Sequence, residues 1–448
     1  MNRGLLCALL TWGIITAPPT LAAEPQSWLV ISASHNVPAS LERQIAAAGG
    51  RVIDRFSAIG VAVVESGDPD FGNKIPGAQF VARNLSVNWL PGNEDAVFFE
   101  EAGLAPNSGD DDAFLDMQWG HNAVRAQAAW AAGQTGQGVR VAVLDSGIDH
   151  DHPDLAPNLN ATLSKSFVDG EDWRIGPGVY FNHGSHVAGT IGAADNGTGI
   201  IGVSPGVELV AIKVLSEHTG NGAFSGVIGG VLYAADIGAR VINMSLGATL
   251  VRRGVPDVYN AQDVAGLSVA FNRAAMYAIG KGAVVIASEG NSAIDKDHTA
   301  SVITLPADAT GVTSISATAP YGWLTAGWNG DYNGLASYSN FGFSATQFGA
   351  PGGDYSYGFS DPGSLCTAAA RTRPCYVFDY VFSTGSQAYY WAVGTSMAAP
   401  HASAVAAIII GENDGNITSQ QVTAEMLRRA DGTGRTAETG AGVVSTGY

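Results

Sequence analysis

The stretch GTSMAAP (residues 394–400) decides how the rest of the chain is interpreted. Ser396 lies between a tight Gly-Thr turn and small residues that lead into the apolar run AAPHASAVAAIII (398–410), which predicts a buried helix beginning near the serine. Pro400 fits this prediction, because proline costs little in the first turn of a helix. Backbone N–H groups at a helix N-terminus are ready donors for an oxyanion. Taken alone, the stretch is better explained as an ordinary N-cap serine.

The composition indicates a multidomain acidic protein. A chain of 448 residues exceeds one ordinary core, so we expect two or three domains. The balance of 22 Lys and Arg against 40 Asp and Glu gives a formal net charge of −18, which argues against nucleic acid or an anionic membrane as a partner. The same acidity favours sites for hard cations such as Ca²⁺, although surface solvation explains most acidic residues.

The N-terminus has the features of a secretory signal. One arginine precedes an apolar run from Leu5 to Ile15, and two prolines and small residues around Ala22 follow, so we predict a signal peptide over residues 1–23. The run is short for a membrane span, and we expect no later span. These features predict a secreted protein, with a periplasmic location as the alternative.

The cysteines are interpreted in that oxidising context. Cys7 leaves with the signal, so Cys366 and Cys375 remain. An even count in an exported chain favours one disulfide that closes a short loop. The alternative is two buried thiols.

Residues 24–92 have the pattern of a small α+β domain. The expected elements are a strand in SWLVISA (27–33), a helix in VPASLERQIAAAGG (37–50), a hairpin in RVIDRFSAIGVAVVE (51–65), and a second short helix and strand in AQFVARNLSVNWL (78–90). Residues 93–112 are acidic and rich in turn formers, which predicts an exposed linker with a cleavage site.

Beyond Gln118 apolar strands alternate with helical segments. Strands are predicted in TGQGVRVAVLDSGID (135–149), ELVAIKVL (208–215), RVINMSL (240–246), GAVVIASEGN (282–291) and VTSISAT (312–318), with helices in 222–239 and 267–282. This pattern predicts an α/β domain whose parallel sheet is covered on both faces, with active-site residues at the carboxyl ends of the strands. Two irregular stretches, 321–334 and 352–390, are interpreted as surface excursions.

Asp145, His183 and Ser396, at the end of a predicted strand and at the starts of two predicted helices, form a candidate catalytic set. Asp145 closes an apolar strand, and a buried carboxylate there needs a partner such as a histidine N–H. His183 begins a segment of small helical residues and can act as general base, and Ser396 is the candidate nucleophile. The chain order Asp, His, Ser is one of the known orders for this triad.

Each residue alone has another explanation. Asp145 fits a strand-end cap, His183 a core histidine, and His183 with His186 half of a metal site. No third ligand is spaced as a zinc-binding HExxH motif requires, and no GxSxG motif surrounds any serine.

Three motifs together resemble the signature blocks of the subtilisin-like serine proteases, the subtilases: LDSGIDHDHPDL (144–155), NHGSHVAGTIGA (182–193) and GTSMAAPH (394–401). The resemblance extends to GAGVVSTGY (440–448). It implies a three-layer subtilisin-like fold over residues 113–448, with a mostly parallel sheet flanked by helices. It also implies that Asp145 orients His183, that His183 is the general base, that Ser396 is the nucleophile, and that His186 is structural.

Further blocks extend the resemblance to the oxyanion hole and the substrate cleft. ASEGN (287–291) implies that Asn291 donates to the oxyanion, although alone it fits a loop asparagine. TLPA (304–307) resembles the base of the first specificity pocket, with Pro306 cis. TGNG (219–222) and NMSLG (243–247) resemble the two edges that bind an extended peptide main chain, which implies protein and peptide substrates. The residues at these edges are Gly220, Asn221, Gly222, Ser245, Leu246 and Gly247.

A structural calcium ion is also implied. DNGTGI (195–200) with Asp154 resembles the family's tight Ca²⁺ site, to which an acid from 110–112 adds a ligand. The implied ligands are side-chain oxygens of Asp154 and Asn196 and the carbonyls of Ala194, Thr198 and Ile200. The alternative is a solvated acidic turn.

The segment before the linker resembles the family's propeptide, which implies an intramolecular inhibitor and folding chaperone removed by self-cleavage. The chain departs from the family pattern at Glu289, beside the oxyanion block, at Ala404, where a helix normally packs closely, and in HGSH, which replaces the commoner HGTH. We expect a monomeric, secreted serine endopeptidase. The competing hypotheses are an inactive subtilase fold that binds partners through its cleft, and a processing protease with one dedicated substrate.

Overall fold

The computed structural model of the chain describes residues 25–90, 98–100, 112–177, 179, 182–432 and 434–448. The predicted signal peptide (1–23) and most of the predicted linker (93–112) lie outside these ranges. In the described residues we find no helix with both the length and the apolar character that crossing a membrane requires.

The N-terminal domain is a four-stranded antiparallel sheet with one helix, followed by a short fifth strand. Its elements are β1 (Gln26–Ser32), α1 (Ala39–Ala47), β2 (Arg51–Phe56), β3 (Val61–Ser66), a 3₁₀ turn (Phe71–Asn73), β4 (Ala78–Arg83) and β5 (Ser86–Asn88). The sheet order is β2-β3-β1-β4. The first strand, the helix and the hairpin agree with their predictions.

Residues 78–90 correct the prediction of a second helix. They form the strands β4 and β5 instead. In β4, Val81 faces the core under α1, while Ala82 faces the opposite side of the sheet, so the buried residues have the two-residue period of a strand. The strand also pairs with the edge of β1, whose backbone groups would otherwise lack partners.

The large domain contains eight helices among its described residues: α2 (Trp119–Val124), α3 (Ala126–Ala131), α4 (His183–Gly192), α5 (Phe224–Asp236), α6 (Ala261–Gly280), α7 (Tyr357–Ser360), α8 (Thr395–Glu412) and α9 (Ser419–Arg429). Short 3₁₀ helices lie at Leu115–Met117, Ala156–Asn158 and Cys375–Asp379. Helix α6 begins earlier than the predicted segment (267–282), because Asn260 and Asp263 form a reciprocal capping box at its start.

The remaining strands are β6 (Phe98–Glu100), β7 (Arg140–Asp145), β8 (Lys165–Ser166), β9 (Glu208–Lys213), β10 (Asn221–Ala223), β11 (Val241–Met244), β12 (Ala248–Val251), β13 (Gly254–Val255), β14 (Tyr259–Asn260), β15 (Val284–Ser288), β16 (Val302–Leu305), β17 (Thr313–Ala319), β18 (Gly334–Leu335), β19 (Phe348–Pro351), β20 (Leu365–Ala368), β21 (Arg371–Pro374), β22 (Val381–Thr384) and β23 (Tyr389–Ala392).

The central sheet confirms the predicted parallel arrangement. Its order is β18-β17-β15-β11-β7-β9-β8, and β19 also pairs with β17. All of these pairs are parallel except that of β17 with β18. Strand β7 lies between β9 and β11, so Asp145 at its end is at the centre of the sheet's carboxyl edge.

Two apolar layers cover this sheet. In β7, Val141 and Val143 pack into the layer that contains α4 and α8, whereas Ala142 and Leu144 pack into the layer that contains α5 and α6. A strand buried on both faces has no polar alternation, which explains the continuous apolar runs. The result is the predicted three-layer fold.

The predicted linker and the region 352–390 differ in part from their predictions, whereas the predicted disulfide is present. Strand β6 pairs with β23, so part of the predicted linker joins the body of the protein. Cys366 and Cys375 form the predicted disulfide beside the hairpin β20–β21. The region 352–390 is only partly a surface excursion, because β22 and β23 are buried and Phe382 and Trp391 pack in the core.

Candidate active site

Asp145 and His183 form a buried pair at the carboxyl edge of the sheet. Asp145 ends β7, and His183 is the first residue of α4, whose N-cap Asn182 accepts the Ser185 N–H. His183 Nδ1 lies 2.8 Å from Oδ1 and 2.9 Å from Oδ2 of Asp145. A carboxylate at this distance holds the Nδ1 proton and fixes the orientation of the imidazole. The second ring nitrogen, Nε2, is therefore the one suited to exchanging protons with a substrate.

Ser396 is the second residue of α8 and follows Thr395, the first. Helices α4 and α8 pack against each other on one face of the sheet. Both start at its carboxyl edge, because His183 contacts Asp145 at the end of β7 and Thr395 contacts Asn291 just beyond β15. The Ser396 hydroxyl donates to the carbonyl of Ser245 at 3.3 Å, and the Ser245 hydroxyl donates to the carbonyl of Ser396 at 2.7 Å. These two bonds join the candidate nucleophile to one of the predicted substrate edges.

Asn291 is held against the start of the same helix. Its Oδ1 accepts the Thr395 N–H at 2.9 Å and the Thr395 hydroxyl at 2.7 Å, and the Gly290 N–H donates to that hydroxyl at 3.0 Å. Because Oδ1 is bound to Thr395, the other end of the carboxamide, Nδ2, is the donor that Asn291 can offer to an oxyanion. The Asn291 amide therefore contacts Thr395, the residue that precedes Ser396 in α8.

The two predicted substrate edges hold an extended segment of the N-terminal domain. Strand β5 pairs antiparallel with β10, with Val87 opposite Gly222. The Trp89 N–H donates to the Gly220 carbonyl at 3.1 Å, and the Gly247 N–H donates to the Trp89 carbonyl at 3.0 Å. The segment 86–89 therefore contacts both edges through its main chain, as an extended peptide would. Leu246, by contrast, is buried in the core.

Trp89 is a feature that the sequence did not reveal. It is fully buried in the large domain's core, its Nε1 donates to the Gly222 carbonyl at 2.8 Å, and its ring centre lies 4.5 Å from that of Phe224 and 6.1 Å from that of Phe271. The signal in the sequence for this position was that a large apolar side chain lies at the very end of the predicted small domain (24–92).

The candidate calcium loop brings hard oxygen donors together. The buried carboxylates of Asp112 and Asp154 both contact Thr198: its N–H donates to Asp112 Oδ1 at 3.1 Å and its hydroxyl to Asp154 Oδ1 at 3.3 Å. Asn196 Oδ1 accepts the Thr198 N–H at 3.0 Å. Burial raises the pKa of Asp154, even though the Ile200 N–H donates to its Oδ2 at 3.0 Å. Two carboxylates and an amide oxygen around one loop have the donor chemistry that Ca²⁺ prefers.

A second acidic cluster, Glu171, Glu217 and His218, has a different partner. The buried Lys213 Nζ lies 2.8 Å from a Glu171 oxygen and 3.3 Å from a Glu217 oxygen. An ammonium group thus already compensates these carboxylates, and we assign no metal to them.

His186 has a structural position. It is fully buried, its Nε2 lies 3.1 Å from the Tyr390 carbonyl, and burial lowers its pKa to about 3. A neutral core histidine is the role that the sequence implied.

Glu289 does not line an open subsite. Its side chain is buried, and its Oε1 lies 3.2 Å from Lys296 Nζ, which also bonds to Asp308. Burial raises the pKa of Glu289, and Lys296 opposes this shift. Asp308 in turn accepts the Thr304 N–H at 2.8 Å, two residues before Pro306. The Leu305–Pro306 peptide bond is cis, as expected. Ala404 is accommodated in the buried face of α8.

Comparison with known proteins identifies the family. Residues 136–443 match the model of the subtilase family. The chain is 33% identical over 330 residues to Subtilisin BL of Lederbergia lenta, an alignment that covers 73% of this chain and 97% of that protein. It is 33% identical over 331 residues to M-protease of Shouchella clausii, covering 73% of this chain and 68% of that protein.

A solved structure shares the whole architecture. The epidermin leader peptide processing serine protease of Staphylococcus aureus superposes with a TM-score of 0.73 at 18% identity, and the alignment covers 95% of this chain and 97% of that one. At this identity the match shows the fold.

The chain belongs to the subtilase family. It is a serine endopeptidase, and its substrates are proteins and peptides.

Proposed function

We propose that the chain is a secreted, self-processed zymogen that hydrolyses peptide bonds through a triad of Asp145, His183 and Ser396. The observation that carries the proposal is the His183 imidazole held by both oxygens of Asp145, at 2.8 and 2.9 Å, on the side of the sheet where α8 presents Ser396. The predicted signal peptide supports the secretion.

The proposed reaction has two halves. Ser396 Oγ attacks the carbonyl carbon of the substrate while His183 Nε2 takes the hydroxyl proton, and the N–H of Ser396 and Nδ2 of Asn291 stabilise the oxyanion. His183 then gives its proton to the leaving amine as the C–N bond breaks. Water attacks the acyl-enzyme with His183 again as base, which releases the acid and restores Ser396.

Substrates bind in extended form between the edges 220–222 and 245–247. The main-chain contacts of segment 86–89 with Gly220, Gly222 and Gly247 support this part of the proposal, because a substrate backbone offers the same N–H and C=O groups. Contacts of this kind do not select side chains, so they support broad sequence tolerance.

The N-terminal domain (24–92) is the propeptide. Segment 86–89 contacts the edges that a substrate would use, which supports inhibition by occupation of the cleft. Arg273 of α6 donates to the carbonyls of Ser32 at 3.0 Å and Ile59 at 2.9 Å, and the Arg83 N–H donates to Asp263 Oδ1 at 2.8 Å. These bonds support a folding template role for the same domain.

Calcium is assigned to the loop 195–200. Asp154 and Asn196 would hold the ion through side-chain oxygens, with Asp112 and the carbonyls of Ala194, Thr198 and Ile200 beside them. A bound Ca²⁺ would neutralise two buried carboxylates and stiffen the loop. It takes no part in the peptide-bond chemistry.

The test is the intact mass and N-terminal sequence of secreted wild-type and Ser396→Ala protein. Ser316→Ala is the matched control, because its buried hydroxyl bonds to the Glu438 carbonyl instead. We expect the wild type and the control to begin within the predicted linker (93–112), no later than the calcium ligand Asp112, and Ser396→Ala to keep the segment from residue 23 or 24 onward.

Other outcomes separate the alternatives. Retention of the segment by the wild type, together with no labelling of Ser396 by a fluorophosphonate, would favour an inactive binding protein. Loss of the segment from both proteins would show cleavage by another protease. In that case a peptide assay decides: hydrolysis by Ser396→Ala near the wild-type rate would overturn the proposed mechanism.

A further inference from the structure

Asn340 is a fully buried residue that makes four hydrogen bonds to the loop containing Asn291. Its Nδ2 donates to the Glu289 carbonyl at 2.9 Å, and its N–H donates to the Gly290 carbonyl at 2.8 Å. Its Oδ1 accepts the N–H groups of Ser292 at 3.0 Å and Ile294 at 2.9 Å. The bonds therefore lie on both sides of Asn291.

The loop needs such a partner because it follows β15 without regular secondary structure. Gly290 has φ +104°, and a Cβ at this position would lie 2.5 Å from Asn340 Nδ2, so the two segments are in close contact. The carboxamide of Asn340 offers two N–H donors and a carbonyl acceptor, so one side chain can bond to both a C=O and two N–H groups of the loop.

Main-chain hydrogen bonds also join the segment of Asn340 to the loop of Asn291. The Ala293 N–H donates to the Tyr338 carbonyl at 2.7 Å, and the Phe341 N–H donates to the Ile294 carbonyl at 3.0 Å. The Ser339 hydroxyl donates to the Asn340 carbonyl at 2.9 Å. Residues 338–341 and 290–294 are thus joined along their length, and Asn340 is the side chain that completes the contact.

We infer that Asn340 is a positioning residue that acts through Asn291. Thr395 fixes the side chain of Asn291, and Asn340 fixes the main chain on either side of it. An oxyanion donor has to be held within about 0.5 Å of its productive position, so loss of the main-chain anchor lowers the rate of the chemical step. The inference rests on the role proposed above for Asn291.

The test measures kcat and KM for Asn340→Ala, Asn291→Ala and the double variant with a peptide substrate. Each full-length chain is matured with a trace of tagged wild-type enzyme, which is then removed, and rates are divided by the sites that a fluorophosphonate labels. We expect kcat to fall about 10- to 30-fold in Asn340→Ala with KM within about twofold, and about 10²- to 10³-fold in Asn291→Ala.

The double variant distinguishes positioning from a general loss of structure. If Asn340 acts through Asn291, adding Asn340→Ala to Asn291→Ala lowers kcat by less than about threefold further. If kcat of the double variant instead falls by the product of the two single-variant factors, the inference is wrong. Asn158→Ala is the matched control, because its amide donates to the carbonyls of Gly192 and Pro205 away from this loop, and its kcat should equal that of the wild type.

Asn340→Asp keeps the inference testable if Asn340→Ala does not fold. The isosteric carboxylate keeps the acceptor for Ser292 and Ile294 and removes the donor to the Glu289 carbonyl, so kcat should fall while KM holds. A wild-type kcat for either folded Asn340 variant, alongside a slow Asn291→Ala, would refute the inference alone. A wild-type kcat for Asn291→Ala would instead refute the proposed oxyanion role.

Discussion

The two main sheets of the molecule are buried in different ways. The central parallel sheet is covered on both faces by helices of its own domain. The N-terminal sheet is covered by its own helix α1 on one face only, where Trp28 and Val30 pack, while Leu29 and Ile31 on the other face join the core of α5 and α6. The large domain therefore has a complete core of its own, whereas one face of the N-terminal sheet is buried only by packing on the large domain.

The shared core bears on the release that we propose for the N-terminal domain. Gly266 in α6 permits the close approach, because a Cβ there would lie 2.8 Å from the Cβ of Ala82. Cleavage between the domains would leave the small sheet with one face toward water unless it stays bound. The proposed inhibitor would therefore bind tightly while folded on the large domain and weakly once it has dissociated and unfolded.

The largest effect expected from this difference is in the isolated N-terminal domain. Residues 24–92 expressed alone should show no cooperative urea transition by circular dichroism. One of the two apolar faces of the sheet would be exposed to water, and the small domain would then lack a sufficient core. Addition of matured large domain should restore the strand signal. A cooperative transition of the fragment alone would contradict the interpretation that this domain depends on the large domain for part of its core.

The next effect is in acid, and it should belong to the large domain. Burial lowers the pKa of His121 and His186 to about 3 and that of His401 to about 4, from an ordinary value of 6.5. The unfolded chain takes up protons below about pH 6.5 while the folded chain does not, so the free energy of unfolding should fall as pH drops from 6.5 to 4. Each histidine contributes up to about 1.4 kcal/mol per pH unit.

Thermal unfolding of the matured enzyme between pH 4 and 8 measures this effect. His121→Gln should flatten the acid side of the curve by up to about a quarter, since burial also lowers the pKa of His152, His186 and His401, and only one of the four histidines no longer titrates. His218→Gln, at an exposed position, is the control and should keep the full slope. An unchanged slope in His121→Gln would show that this histidine does not contribute to acid stability.

The smallest effect compares one truncation in each sheet. Ile31→Ala should weaken inhibition of the matured enzyme by fragment 24–92 by about 2–4 kcal/mol, because Ile31 packs in the shared core. Val143→Ala in β7 should lower the stability of the matured enzyme by about 1–3 kcal/mol and leave the inhibition constant unchanged. The two measurements are a titration of activity with the fragment and a urea denaturation. Loss of inhibition in Val143→Ala would mean that the cores are coupled.

The central sheet was predictable because its signals are local. Strands such as β7 and β15 are continuous apolar runs, and the polar residues that end or follow them, Asp145 and Asn291, stand out in the sequence. The helices α4 and α8 begin at His183 and Thr395, so the short motifs also indicated which helix ends meet the sheet.

Other features were hidden because they depend on contacts between distant segments. The sequence of residues 78–83 predicts a helix, because nothing local shows that their two faces pack on two different cores. The segments β22 and β23 have no local sign of burial either, because they are buried in the core that contains α4 and α8. Trp89 gave no sign of its position, since its partners Phe224 and Phe271 are more than a hundred residues away.

The sequence by itself determined the α/β class, the family and the candidate triad, because hydrophobic period and short motifs are local properties of the chain. Only the tertiary structure decided that the N-terminal sheet shares its core with α5 and α6, that segment 86–89 contacts the two edges, and that Asn340 holds the loop of Asn291. These are contacts between residues far apart in the chain, and a residue's identity does not specify which distant backbone group will be its partner.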